Sequence, residues 1–199
     1  MKEYTIAITG ASGVVYGVRL IEKLLELNNK INVIVSNSGK IVLEEEMDFK
    51  YQNDKELFKI NFLSFFKDNN NLCYYEIDDM MAPIASGSHK TDCMVVIPCS
   101  MSTLAAINNG LSKNLLERAA DVTMKEGRKL ILVPRETPFN TIHLKNMMEL
   151  SQWGVKILPA MPGFYNNPTT LDDIISFIVG KTMDLMGIEN DVYKRWAGQ

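Results

Sequence analysis

Tyr4-Thr5-Ile6-Ala7-Ile8-Thr9-Gly10-Ala11-Ser12-Gly13-Val14-Val15-Tyr16-Gly17-Val18-Arg19-Leu20 is the stretch that decides how this chain folds. A short apolar run stops at a turn of very small residues, and apolar positions at helical spacing (Val14, Val18, Ile21, Leu24, Leu25) begin directly after it. The pattern predicts strand, tight turn and helix. Gly10 and Gly13 let the backbone turn sharply and come close to a ligand, and the free N–H groups at the start of a helix favour an anion. A nucleotide phosphate suits such a turn, with a plain connecting turn as the competing reading. Dinucleotide binding asks for more, namely an Asp or Glu at the end of the second strand to hold the ribose hydroxyls. The second strand, Ile31-Asn32-Val33-Ile34-Val35, runs instead into Ser36-Asn37-Ser38-Gly39. Hydroxyls and backbone N–H groups suit a phosphate better than a diol, so FMN fits better than NAD.

The opening design recurs downstream. Met94-Val95-Val96-Ile97 is a continuous apolar run of the kind buried on both faces of a parallel sheet, and it leads into Pro98-Cys99-Ser100-Met101-Ser102-Thr103 and a helix over Leu104–Asn109. Lys129–Val133 is another such strand, ending in Pro134-Arg135-Glu136-Thr137-Pro138, which sets an adjacent Arg and Glu at a carboxyl end. Val155–Leu158 leads to a proline-rich segment carrying Tyr165. Helices are expected over Lys40–Met47, Asn114–Gly127, Thr141–Trp153 and Thr170–Met186, the last capped by Thr169 or Thr170 and stopped by Gly187. Residues 53–71 read only as a short helix and a loop. Strand and helix alternate, which predicts an α/β doubly wound parallel sheet, Rossmann or flavodoxin-like, in a single domain spanning 1–199.

Several polar residues have bland readings on pattern alone. Glu44-Glu45-Glu46 reads as a solvated face, His89 as a surface loop residue and His143 as a half-buried packing residue. Arg118 and Lys125 share one face of a helix two turns apart, where a salt-bridged surface is the default.

Composition excludes some classes. The 199 residues are 46% hydrophobic, enough for a full core, and the net charge of -3 gives no footprint for nucleic acid or anionic membrane. No apolar run approaches the ~18 residues of a membrane span, and the N-terminus lacks a signal-peptide pattern. Cys73, Cys93 and Cys99 are odd in number and lack metal-ligand spacing, as expected of reduced thiols in a cytoplasm.

Taken together, these segments resemble the UbiX-type flavin prenyltransferases. The matching pieces are Gly10-Ala11-Ser12-Gly13 with Tyr16-Gly17, Ala82-Pro83-Ile84-Ala85-Ser86-Gly87-Ser88, Pro98–Ala105, Arg118-Ala119-Ala120-Asp121-Val122, Lys125-Glu126, Arg135-Glu136-Thr137-Pro138, Ile142-His143-Leu144 with Asn146-Met147, and Pro159–Tyr165, in family order across nearly the whole chain. The resemblance implies transfer of a dimethylallyl group from dimethylallyl phosphate to N5 and C6 of reduced FMN, making the prenylated cofactor of UbiD-type decarboxylases. Carried over residue by residue, it makes Gly10, Ala11, Ser12, Ser36, Ser100, Met101, Ser102, Thr103 and Arg135 the FMN contacts. It makes Arg118, Lys125, Tyr165, Lys181 and Ser86 the hold on the prenyl phosphate, Ser12 and Glu136 proton carriers, and Trp196 a pocket wall. No metal is implied. Relatives form large homo-oligomers, such as dodecamers, with sites built across subunit contacts. Lys181 and Met80 depart from the family, standing where relatives often carry Arg and Trp. A cysteine-peptide decarboxylase of the kind that makes phosphopantetheine is the rival enzyme, and a non-catalytic FMN carrier the rival binding protein. The former is disfavoured because the first His is His89 and Pro98-Cys99-Ser100-Met101 is not its Pro-x-Met-Asn segment.

Overall fold

Every residue of Cys93–Cys99 is buried, as its unbroken apolar run requires of a strand covered on both faces. In the computed structural model, which describes residues 1–196, this segment is β4 of six parallel strands. The others are β1 (Glu3–Ile8), β2 (Lys30–Val35), β3 (Leu72–Tyr75), β5 (Lys129–Pro134) and β6 (Lys156–Ile157). Their order is β3-β2-β1-β4-β5-β6. The register sets Ile6 of β1 beside Val33 of β2 and Val95 of β4. Connections leave β1 in one direction and β4 in the other, so a crevice opens between their carboxyl ends, where ligands bind in such sheets.

Helices α1 (Val14–Glu26), α2 (Asn37–Met47), α3 (Lys55–Phe65) and α7 (Leu171–Met186) cover one face, and α4 (Met101–Asn108), α5 (Leu115–Lys125) and α6 (Thr141–Gln152) the other. The first core joins Val18, Ile21, Phe58, Phe62, Ile178 and Met183 to the sheet. The second joins Leu104, Ile107, Leu116, Ala120, Met147 and Leu150. Each such Val, Leu, Ile, Phe or Met side chain contributes about 1.5–3 kcal/mol of burial. Gly17 lets α1 lie against the sheet, since a Cβ there would stand 2.5 Å from the Ile97 carbonyl oxygen and 2.9 Å from Ile8 Cγ1.

The structure adds to the sequence reading at several points. β3 follows directly on the stretch 53–71 and has no counterpart in the sequence reading; it is a four-residue edge strand, too short for its alternation to register as a pattern. α2 and α4 begin earlier than expected because Ser36 and Ser100 are their N-caps, each accepting from the third residue on, Gly39 N at 3.0 Å and Thr103 N at 3.2 Å. His143 is half-buried against Phe139, as expected, and also closes a capping box with Asn140 at the start of α6. The acidic patch is not merely solvated: Glu44 accepts the Tyr51 and Gln52 N–H groups at 2.9 and 2.8 Å, and Glu46 reaches α1. Lys40, fully buried, pairs with Glu76 at 2.6 Å, with Tyr51, Phe58 and Tyr74 around its ammonium.

Candidate active site

Three helix starts meet at the carboxyl edge of β2, β1 and β4. Past the strands the ladder continues, with Ser36 N donating to Ile8 O at 2.9 Å and Thr9 N to Pro98 O at 3.3 Å. The buried Thr9 hydroxyl donates to Pro98 O at 2.7 Å and accepts from Ser100 N at 2.8 Å, stitching the turn after β1 to the turn after β4. Gly10 packs against Ser38, where a Cβ would collide, so the turns after β1 and β2 also touch. The caps satisfy one N–H each, and a helix leaves its first N–H groups without intrahelical partners. Among the described residues Asn37, Ser38, Met101 and Ser102 N–H groups find no acceptor in the chain. They form a donor set that fits a phosphate anion.

The start of α1 behaves differently. Its Gly13 and Val14 N–H groups donate to Glu46 Oε2 at 2.9 and 3.3 Å, so the anion expected at this turn is the chain's own carboxylate. Gly13 itself has φ 96°, a left-handed conformation that favours glycine. Arg135, following β5, donates from Nε to the Ser12 carbonyl at 3.1 Å. Tyr16 stands between these charges: burial pushes its phenol up, Arg135 opposes the rise and Glu46 adds to it. Glu136 is half-buried beside Arg135 and caps its own Thr137 N–H at 3.1 Å. The chain thus gathers Gly10, Ala11, Ser12, Ser36, Ser100, Met101, Ser102, Thr103, Arg135 and Glu136 at one edge. Glu46 joins them, unforeseen because nothing in a run of three glutamates tells which one turns back onto α1.

The residues expected to hold the prenyl phosphate lie elsewhere. Lys125 ends α5 and pairs with Glu126, whose carboxyl it holds below the usual range. Gly87 packs against both side chains. Arg128, just before β5, donates to Gly87 O and His89 O. His89 is half-buried rather than free in a loop, its Nε2 2.7 Å from Glu3 at the start of β1. Lys125 and the Ser86–His89 loop therefore sit at the amino edge, a strand length or about 20 Å from the turns at Ser12 and Ser100. Arg118 forms the expected ion pair with Asp121 at 2.9 Å and also donates Nε to Ala85 O at 3.0 Å. Tyr165, Lys181 and Trp196 form no part of this group. Lys181 lies on α7, across the sheet from α5, and among the described residues makes no ion pair. Tyr165 meets Phe177 and Trp196 edge-on, with both centroid distances 6.0 Å. One chain does not bring Lys125 and Ser86 to the flavin turns, whereas Tyr165 follows β6 on the carboxyl side of the sheet; α5 runs toward the amino edge because β5 must start there.

Two of the three thiols are buried. Burial pushes Cys93 up to about 12 and Cys99 higher still, so neither is a thiolate nucleophile at neutral pH. Among the described residues no group of three His, Cys, Asp or Glu is placed to hold a metal ion, and no helix is long and apolar enough to cross a membrane.

Residues 1–183 match the flavoprotein family. The chain is 49% identical over 194 residues to flavin prenyltransferase UbiX of Halalkalibacterium halodurans, covering 98% of this chain and 93% of that protein. It is 48% identical over 192 residues to flavin prenyltransferase UbiX of Methanocaldococcus jannaschii, covering 96% and 97%. The chain belongs to the UbiX-type flavin prenyltransferase family. Among solved structures, AnUbiX (PadA1) in complex with FMN and dimethylallyl pyrophosphate superposes with TM-score 0.87 at 36% identity, covering 100% of this chain and 98% of that one. A dodecameric FMN-dependent UbiX-like decarboxylase from Escherichia coli O157:H7 gives 0.88 at 41%, covering 98% and 100%. A PPC decarboxylase, covering 81% of this chain and 83% of that one, matches at TM-score 0.60 and 18% identity; this likeness is one of fold alone.

Proposed function

We propose that this protein transfers a dimethylallyl group from dimethylallyl phosphate to reduced FMN, and that its product serves a UbiD-type decarboxylase. The observation that carries the reading is the crevice between β1 and β4, where the starts of α2 and α4, Arg135 and Glu136 converge in a chain that aligns end to end with flavin prenyltransferases. The donor set at Asn37, Ser38, Met101 and Ser102 fits the FMN phosphate, and reduced FMN would supply the nucleophilic N5 and C6. Arg135 steadies the turn at Ser12 through Nε and keeps further N–H groups to offer as donors. Ser12 and Glu136 carry protons, the carboxylate taking the one that must leave C6.

An allylic C–O bond breaks to give a cation and a phosphate, so cationic side chains around the leaving oxygens stabilise charge as it develops. Arg118, Lys125, Tyr165, Lys181 and Ser86 supply that environment and Trp196 walls it. Their separation within one chain supports a site completed by neighbouring subunits, with the amino-edge residues of one copy meeting the carboxyl edge of another. A homo-oligomer like the dodecameric relative meets this need. Residues 1–199 act as one flavin-binding domain. Three free cysteines support a reducing, cytoplasmic setting.

The test is anaerobic incubation with reduced FMN and dimethylallyl phosphate or diphosphate, with and without a chelator, followed by the mass of the flavin. A prenyl adduct with the monophosphate, unaffected by chelation, is expected. Unaltered FMN with either donor overturns the reading.

A further inference from the structure

We propose that Arg128 is a positioning residue for the prenyl donor, acting through the Ala85–His89 loop; the proposal rests on the roles given above to Lys125 and Ser86. Arg128 occupies the short link between α5 and β5, and its guanidinium donates to Gly87 O at 2.6 Å and to His89 O at 2.7 Å. Two carbonyls of one loop meet one rigid fork, which fixes both the position and the rotation of the loop. A point charge on a flexible stem would not do so. The loop is closed on itself by His89 N to Ser86 O at 3.2 Å and by the Ser86 and Ser88 hydroxyls at 2.8 Å. Arg118 holds its other end through Ala85 O at 3.0 Å.

The consequence falls on Lys125. The fork draws Gly87 onto the end of α5 so closely that a Cβ there would strike the Glu126 carboxylate and stand 2.9 Å from Lys125 Nζ. Arg128 and the missing side chain of Gly87 together set the spacing between the Ser86 hydroxyl and the Lys125 ammonium, the two groups that share the donor phosphate. The charge of Arg128 also assists Lys125, the larger influence, in keeping Glu126 ionised, so the Lys125 head stays at the loop. Arg128 spends these two donors on carbonyls and acts on the phosphate through the loop.

The experiment is steady-state prenylation by the assembled protein at saturating reduced FMN, with dimethylallyl phosphate varied, for wild type, Arg128→Gln, Arg128→Lys, Gly87→Ala and Lys125→Ala. Arg128→Gln and Gly87→Ala are expected to raise the donor KM about tenfold through lost positioning, with kcat and FMN affinity nearly unchanged, and Arg128→Lys to fall between. If Lys125→Ala raises KM while both Arg128 variants keep the wild-type value, the proposal is overturned. Lower thermal stability and kcat at unchanged KM would overturn it too, as the mark of a purely structural residue. Should Arg128→Gln fail to fold, wild-type KM in both Arg128→Lys and Gly87→Ala decides against it. Wild-type KM and kcat together in Lys125→Ala refute the underlying role of Lys125 and this proposal with it.

Discussion

Arg135 Nε lies 3.1 Å from the Ser12 carbonyl oxygen, so the end of β5 reaches past β4 to hold the turn after β1. One bond thereby couples two segments more than a hundred residues apart in sequence at the point where flavin is expected. Arg135→Lys keeps the charge but loses the fork, and FMN affinity is expected to fall roughly tenfold, the worth of about one charge-assisted hydrogen bond. Flavin fluorescence titration measures it, and wild-type affinity in the variant would remove Arg135 from the flavin contacts.

Lys125→Ala should leave flavin binding nearly intact, because the FMN contacts are expected mainly from the strand-end turns at Gly10, Ser36 and Ser100. Single-turnover prenylation should drop about tenfold to hundredfold if the ammonium meets the leaving phosphate in the transition state. An unchanged rate would return Lys125 to its pairing with Glu126 on a solvated helix end.

Subunit mixing probes the divided site. Lys125→Ala and Glu136→Gln assemblies, each poorly active alone, are expected to regain activity when dissociated and reassembled together, because some contacts then join two intact halves. No recovery despite verified mixed assemblies would place both residues in a site made by one chain.

Buried charge makes a separate prediction. Lys40 is fully buried against Glu76 at 2.6 Å, so Lys40→Met strands a carboxylate and is expected to cost about 3–5 kcal/mol in denaturant unfolding. Lys40→Met with Glu76→Leu should recover most of that loss. A double variant as unstable as the sum of both singles would mean the pair is not coupled.

Acid stability follows from Asp184. The Arg195 bond, at 2.6 Å, holds this carboxyl below the usual range, against burial and with help from Tyr193 and Asn190. A depressed folded-state pKa stabilises the fold above the unfolded value of about 3.9 and loses that contribution as pH falls through the lower folded value. Asp184→Asn should therefore melt below wild type near neutral pH, with the gap closing in acid below about pH 4. A gap constant with pH would show that the charge of Asp184 contributes nothing.

Local chemistry made much of this legible. The turn Gly10-Ala11-Ser12-Gly13 read correctly as the joint between strand and helix, since glycine, small side chains and helical spacing act within a few residues. Glu46 was illegible because its role depends on α2 folding back beside α1, a contact between positions 33 apart in sequence. Arg128 carries no local signal either, because the carbonyls it forks belong to residues 39 and 41 positions away in sequence.

The order of buried strands and capped helices by itself determined a doubly wound parallel sheet with glycine- and hydroxyl-rich turns at its carboxyl edge. That much follows from hydrophobic periodicity and backbone hydrogen bonding, which are local and additive. Tertiary structure alone decided where the charged residues stand: Ser12 with Arg135 at one edge, Lys125 with Gly87 at the other, and Lys181 across the sheet. Parallel strands force each helix to return to the amino edge before the next strand begins. A residue at the end of α5 is thus carried a full strand length from the turn that opens α4, whatever chemistry its side chain offers.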